Sequence, residues 1–217
     1  MAKKILDTES KKLADSVHLS ASQIEGYFDG QIGKETIYVG NGKGEVIGEV
    51  SIKTKLKKQE NYHREYDEEN FTHLVTDNGV TKDSFVCGKN YVAHKILFSE
   101  KQKVEIELLP TEKAIFGGDK FCVAAVLKNS KVGVGLSINT DGITTYKKDK
   151  IKIDGATKVE IFIKVTTGLN PINKQVEKDE QKLLESLRGQ LYLMESELFD
   201  ILKMKHLMDI DKLKIME

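Results

Sequence analysis

The sequence predicts a mainly β protein: a large antiparallel two-sheet β-sandwich (a supersandwich) over residues 1–170, with a short helix near its start at about 3–25 and a long helical tail over 171–217. Three observations carry that expectation. From about Glu35 to Thr167, apolar residues alternate with polar ones or glycine, the period of a strand with one buried and one wet face. Turn dipeptides interrupt the alternation at short intervals, with no helical period between them. After Asn173 the apolar spacing changes to threes and fours among Lys, Glu, Leu and Met.

At the start, Ile5, Leu6, Leu13 and Val17 recur near helical spacing among charged residues, which predicts an amphipathic helix ending before Gly26. Val46, Val50 and Ile52 form a strand series that Gly48 is expected to kink or bulge. Val104, Ile106 and Leu108 alternate with Glu105 and Glu107, while Val132, Val134, Leu136 and Ile138 alternate with Gly133, Gly135 and Ser137. Both read as half-buried strands, and Val159, Ile161, Ile163 and Val165 make another series. Asn78-Gly79 and Asp141-Gly142 tolerate positive φ and suit tight hairpin turns, so neighbouring strands are expected to be antiparallel. Ten or more such strands need two packed sheets or a closed barrel to bury their apolar faces, and the sandwich is the expectation taken. Pro171, after Thr166-Thr167-Gly168-Leu169-Asn170, places the domain boundary. In the tail, Leu184, Leu187, Leu191, Met194, Leu198 and Ile201 form one apolar stripe. Such a stripe suits a coiled-coil seam or a face docked on its own domain; Gly189 interrupts the run, which favours docking.

Composition narrows the function. Lys plus Arg and Asp plus Glu each total 34, so the chain lacks the positive field of a nucleic-acid binder, and no nucleic-acid partner is expected. Arg occurs only at 64 and 188, which leaves little material for bidentate phosphate clamps and argues against phosphate transfer. Met1 to Lys12 is charged, without an apolar core of signal-peptide length, and no run approaches bilayer-spanning length. The expectation is a soluble chain, cytoplasmic as given, with no membrane partner. Cys87 and Cys122 lack any CxxC partner, and buried free thiols are the expectation over a disulfide between them.

Candidate chemistry is sparse. Gly40-Asn41-Gly42-Lys43-Gly44 has the look of a phosphate loop, but a strand series follows it where a helix N-terminus would be needed, so it reads as a turn. His18, His63, His73, His94 and His206 have neither the spacing nor the cysteines of a metal site, and no metal or cofactor is expected. His63, within Asn61-Tyr62-His63-Arg64-Glu65-Tyr66-Asp67, could join an acid/base pair, against the plainer reading of a polar strand edge knitted by Arg64. Ser84, Ser99 and Ser137 stand in no nucleophile elbow and read as hydroxyls on strand faces. No catalytic residue is assigned.

Several strings stand in a recognisable order: Tyr38 to Ile52 with Gly44-Glu45-Val46, then Asn61 to Asp67, then Phe85-Val86-Cys87 ahead of Tyr91 to Ile96, then Thr140-Asp141-Gly142, Ile151 to Ala156 and Val159 to Thr167. This series resembles the N-terminal domain of glycoside hydrolase family 95, typified by α-L-fucosidases. Tyr62 to Asp67 is similar to the family's Tyr-x-Arg-Glu-Leu-Asp-Leu string, with Tyr66 in place of Leu. The Arg and Ser of the family's Arg-x-x-Phe-x-Ser string are absent around Phe85. Leu191 to Ile215 resembles the linker helix that leads into the catalytic barrel, and Ile5 to Phe28 looks like a segment already inside the domain.

The resemblance implies a supporting role beside an inverting, carboxylate-based hydrolase whose chemistry sits in a separate (α/α)6 barrel. Expected partners are that barrel or its carbohydrate substrate, with self-association where a normally covered face lies open. The alternatives are an autonomous carbohydrate-binding module, using exposed Tyr27, Tyr62 or Tyr91 in a chain without Trp, or an assembly domain paired through its tail.

Overall fold

The computed structural model describes residues 17–21, 24–28, 34–41, 43–56, 62–67, 71–76, 79–87, 91–167, 177, 179–195 and 199–216. Its two longest strands, β8 (Tyr91–Pro110) and β13 (Lys150–Thr166), run antiparallel from the pair Glu107↔Lys150 to the pair Tyr91↔Lys164. The register shifts between Ile153 and Lys158, where Gly155 takes a φ of 74°. A β-branched or bulky residue would be strained there.

Each long strand carries two different neighbours in succession on its free edge. Along β8, the first half pairs with β7 (Thr81–Cys87) and the second half with β4 (Val46–Thr54). Along β13, residues 159–166 pair with β11 (Gly133–Thr140) and residues 150–154 with β12 (Ile143–Lys147). The remaining strands extend these arms. β1 (Val17–Ala21), β2 (Ile24–Phe28) and β3 (Lys34–Gly40) continue from β4; β5 (Tyr62–Asp67) and β6 (Phe71–Thr76) continue from β7; β10 (Cys122–Leu127) and β9 (Ala114–Gly118) continue from β11. Every pairing is antiparallel, and hydrogen bonding joins the thirteen described strands into one network. The antiparallel, mainly β class holds, while the hydrogen bonding draws no line between two separate sheets.

Asp141-Gly142 is not the hairpin turn its residues predict, because β11 and β12 lie one after the other along the same neighbour. The Asp141 carboxylate instead accepts hydrogen bonds from the Thr157 and Lys158 amides, both at 2.9 Å, and so holds the irregular stretch of β13. Asn78 lies outside the described residues. Gly48 pairs with Val39 beside an irregularity in the β3–β4 register, as its position suggests.

Two apolar layers result. The first gathers inward positions of β3, β4, β8, β11 and β13, among them Ile37, Ile52, Ile106, Leu136 and Ile161. The second lies on the other side of β10, β11 and β13 and is closed by two helices, α1 (Glu180–Glu195) and α2 (Phe199–Met216). β10 explains why both layers exist: Val123, Ala125 and Leu127 serve the first, while Cys122, Ala124 and Val126 serve the second. A continuous apolar run is what a strand buried on both faces requires.

β11 therefore departs from the half-buried reading. Its glycine face is covered, not wet. A Cβ on Gly135 would lie 2.7 Å from Leu191 Cδ1, and one on Gly133 would lie 3.1 Å from Leu187 Cδ2. The alternating glycines thus form a trough that lets α1 settle on the sheet. Asp179 starts α1 by accepting hydrogen bonds from the Gln181 and Lys182 amides, a side-chain cap on donors the helix leaves open.

Three further expectations change. The helix expected over 3–25 meets strands at Val17–Ala21 and Ile24–Phe28, and residues 1–16 lie outside the described set. The single long tail is two helices of 16 and 18 residues. Leu184, Leu187, Leu191 and Met194 of the predicted stripe are buried, whereas Ile201 faces outward because α2 turns Phe199 and Leu202 to the sheet. Leu198 lies outside the described residues.

Leu191→Ala is expected to lose about 2–5 kcal/mol in urea unfolding, and Gly135→Val about 1–3 kcal/mol through overpacking of the same contact. The double variant should lose less than the two separate losses together, since the shortened side chain makes room for the added methyls. Strict additivity would mean that α1 is not seated on this trough.

Candidate functional site

Four polar side chains enter the first apolar layer: Glu35 from β3, Lys82 and Ser84 from β7, and His94 from β8. Each shares its strand's apolar phase. Glu35 precedes Ile37 and Val39 at spacing two, Lys82 and Ser84 alternate with Val80 and Val86, and His94 lies between Val92 and Ile96. Ser84 and His94 are cross-strand partners, with Ser84 Oγ 2.7 Å from His94 Nδ1. β3 pairs with neither β7 nor β8, so Glu35 reaches them across the core; its Oε1 lies 3.4 Å from His94 Nε2, and Lys82 Nζ donates to its Oε2.

A serine, a histidine and a carboxylate in a row suggest a nucleophile with its base and orienting acid. Burial decides against it. Ser84, His94 and Glu35 are 4%, 0% and 4% exposed, and the adjoining cavity, lined in part by Glu35 and Lys82, has a volume of about 10 Å³. That is room for about one water, so no substrate reaches the serine. Burial alone would push the Glu35 carboxyl up, but the charges of Lys82 and His94 and their hydrogen bonds outweigh it and lower the pKa to about 2. The group is a fixed anion held beside Lys82 and His94.

The other sequence candidates resolve as follows. Of the Gly40 to Gly44 string, Gly42 lies outside the described residues; Gly40 ends β3, the Asn41 amide donates a hydrogen bond to the Glu45 carbonyl at 3.1 Å, and Gly44 has a φ of 79°, as in a turn from β3 to β4. The histidine–carboxylate pair at the surface is His73 with Asp83, cross-strand partners on β6 and β7; the side chain of His63 lies outside the described residues. Ser137 is buried and Ser99 exposed. Tyr91 is half-buried, edge-on to Phe162 with centroids 6.2 Å apart, and so is no open sugar platform. Burial, and then Asp119, push the Cys122 thiol up to about 11, which keeps it protonated. Among the described residues, no group of three or more His, Cys, Asp or Glu is gathered to hold a metal, and no helix is long and apolar enough to cross a membrane.

Charged pairs fasten α2 to the strands. Lys203 donates to Asp83 at 2.8 Å, and Lys95, set between Glu160 at 3.5 Å and Asp200 at 2.8 Å, ties the first turn of α2 to β8. Phe199 packs edge-on to Phe85 at 5.1 Å, and His206 stacks on the same ring at 5.3 Å. The outward face of α2 carries Ile201, Met204 and Met208, spaced three and four apart and all exposed.

The accessible concavity is on the outer face of β4, β8, β13 and β12, with a volume of about 600 Å³. Register places Lys53, Glu105, Lys152 and Thr145 side by side across the four strands. Lys53 and Lys150 bridge to Glu107 at 3.2 and 3.0 Å, Lys152 to Glu105 at 3.3 Å, and Lys103 to Asp154 at 3.3 Å. Partial burial nudges Glu105 and Glu107 upward, and the lysine hydrogen bonds then hold both below the usual carboxylate range. A glycosidase acid needs a raised pKa, so these carboxylates are tuned the other way. The concavity was missed by sequence reasoning because β8 and β13 are neighbours in space but distant in the chain.

No protein family model and no curated protein matches this chain. Solved structures with a similar course of the chain include a family GH92 inverting mannosidase from Bacteroides thetaiotaomicron, with a TM-score of 0.49 and 11% identity over 82% of this chain and 32% of that one. Another is a human-microbiome protein described as a candidate kojibiose phosphorylase, with a TM-score of 0.42 and 8% identity over 91% of this chain and 35% of that one. The chain thus spans about a third of the length of each. With no family model matching, the likeness to the α-L-fucosidase family rests on the sequence strings alone.

Glu35 gives a pH test. With the unfolded carboxyl near 4.5 and the folded one near 2, its stabilisation, about 3 kcal/mol, is whole above pH 4.5 and drains away as the pH falls toward 2. Glu35→Gln should be less stable than the wild type by about 3–5 kcal/mol at pH 7, because Lys82 is left buried beside a neutral group. Urea unfolding should show that gap narrowing as the pH falls from 4.5. A gap of constant size would contradict the buried anion.

Proposed function

We propose that this chain is a non-catalytic β-domain of an α-L-fucosidase-like glycoside hydrolase, bracing a separate (α/α)6 catalytic barrel and lining part of its rim. The observation that carries this reading is the outward face of α2. Ile201, Met204 and Met208 form an apolar stripe on a helix already docked through Phe199 and Leu202, so the helix has a second face suited to another packed body. The order of the sequence strings supports the fucosidase-like assignment. In this reading, the arms of the network that meet across Glu35, Lys82 and His94 are the two layers of a sandwich, and the two helices are the linker toward the barrel.

The chemistry fits a supporting part. The buried Ser84–His94–Glu35 row is closed to substrate, and the carboxylates of the outer concavity are held ionised by lysines. Purified chain is therefore expected to release no fucose from 4-nitrophenyl α-L-fucoside. It should self-associate in light scattering and bind a hydrophobic dye, and Met204→Lys combined with Met208→Lys should make it monomeric without a shift in Tm. Fucose release, or a wild-type monomer that binds no dye, would overturn the reading.

A further inference from the structure

The outer concavity has the size of a ligand site, about 600 Å³ against a usual range of about 300–1,000 Å³. Its charges are Lys53, Lys55, Lys103 and Lys152 against Glu105 and Asp154, an excess of cations. Three of the four lysines are engaged with carboxylates. Lys55 is exposed at the rim and has no ion pair among the described residues. Thr145, beside Lys152 in register, adds a hydroxyl, and Ile143, 76% exposed, adds an apolar wall at the opposite edge on β12.

We propose that this concavity binds an acidic oligosaccharide bearing uronate groups. The lining selects this chemistry over other anions. A compact polyphosphate would bring its charge against Glu105 and Asp154, and the cleft offers it no arginine fork. A run of acidic peptide side chains would bring carboxylates but no hydroxyl donors for Glu105 and Asp154. A sugar chain carries widely spaced carboxylates and many hydroxyl donors. One carboxylate meets Lys55, hydroxyls donate to Glu105 and Asp154, and the C–H face of a ring lies on Ile143. Three strand spacings, about 14 Å, separate β4 from β12, which calls for an oligomer and not a single ring. The inference holds whether or not the chain braces a barrel.

Calorimetric titration of the full chain with trigalacturonate, its methyl ester, pyrophosphate and hexaglutamate tests the site. The expected result is a Kd for trigalacturonate below about 1 mM, with the methyl ester at least about tenfold weaker. Lys55→Ala should weaken binding about fivefold and Ile143→Ser about threefold, while Lys43→Ala, on the distant β3–β4 turn, should leave it unchanged. All three positions are exposed, so the fold is not at stake. Absence of heat with trigalacturonate at millimolar concentration would overturn the proposal. So would pyrophosphate or hexaglutamate binding as tightly, or an equal loss in Lys43→Ala, which would reduce the effect to general surface charge.

Discussion

The ladder between β8 and β13 is the constraint on which the rest of the molecule depends. Each strand is long enough to serve two different neighbours, and the neighbours change where the ladder loses register near Gly155. β4 and β7 would otherwise belong to unrelated hairpins; sharing β8 makes them parts of one hydrogen-bonded body. The same holds for β11 and β12 on β13. The inward side chains of β4 and β7, strands on different halves of β8, belong to the same first apolar layer.

The buried charges then fix how the arms face. Apolar packing tolerates sliding more readily than a hydrogen-bonded ion cluster does, since a displaced apolar contact is replaced by another while a displaced buried carboxylate is left without its cations. Glu35 meeting Lys82 and His94 across the core acts as such a registration point. On the opposite side, the glycines of β11 and the ion pairs of Lys95 and Lys203 do the same for the helices. Among the described residues the interior is thus committed to holding shape.

Much of this was legible in the sequence as local period. The alternation at 104–108, 132–138 and 159–165 marks real strands, and the stripe from Leu184 to Met194 marks a docked helix. Failures came where a second partner changes what a period means. Gly133 and Gly135 looked like a wet face until a helix lay on them. Val17–Ala21 took strand structure by pairing with Ile24–Phe28, against a weak helical spacing. Asp141-Gly142 carried turn residues, but its carboxylate found the Thr157 and Lys158 amides from a strand the sequence does not place beside it. The buried cluster was half legible, because Glu35, Lys82, Ser84 and His94 are polar residues at apolar-phase positions of their strands. Their meeting depends on β3 lying across the core from β7, which no local pattern encodes.

Hydrogen exchange resolved by residue tests the ladder most directly. The account predicts that amides in 92–96 and 104–108 of β8 and in 159–163 of β13 exchange last, with one common free energy equal to global unfolding, and that Glu35→Gln lowers all three stretches by the same amount. If the two halves of β8 opened with different free energies, or if only one half responded to the substitution, the arms would be independent units and β8 with β13 would not be what unites them.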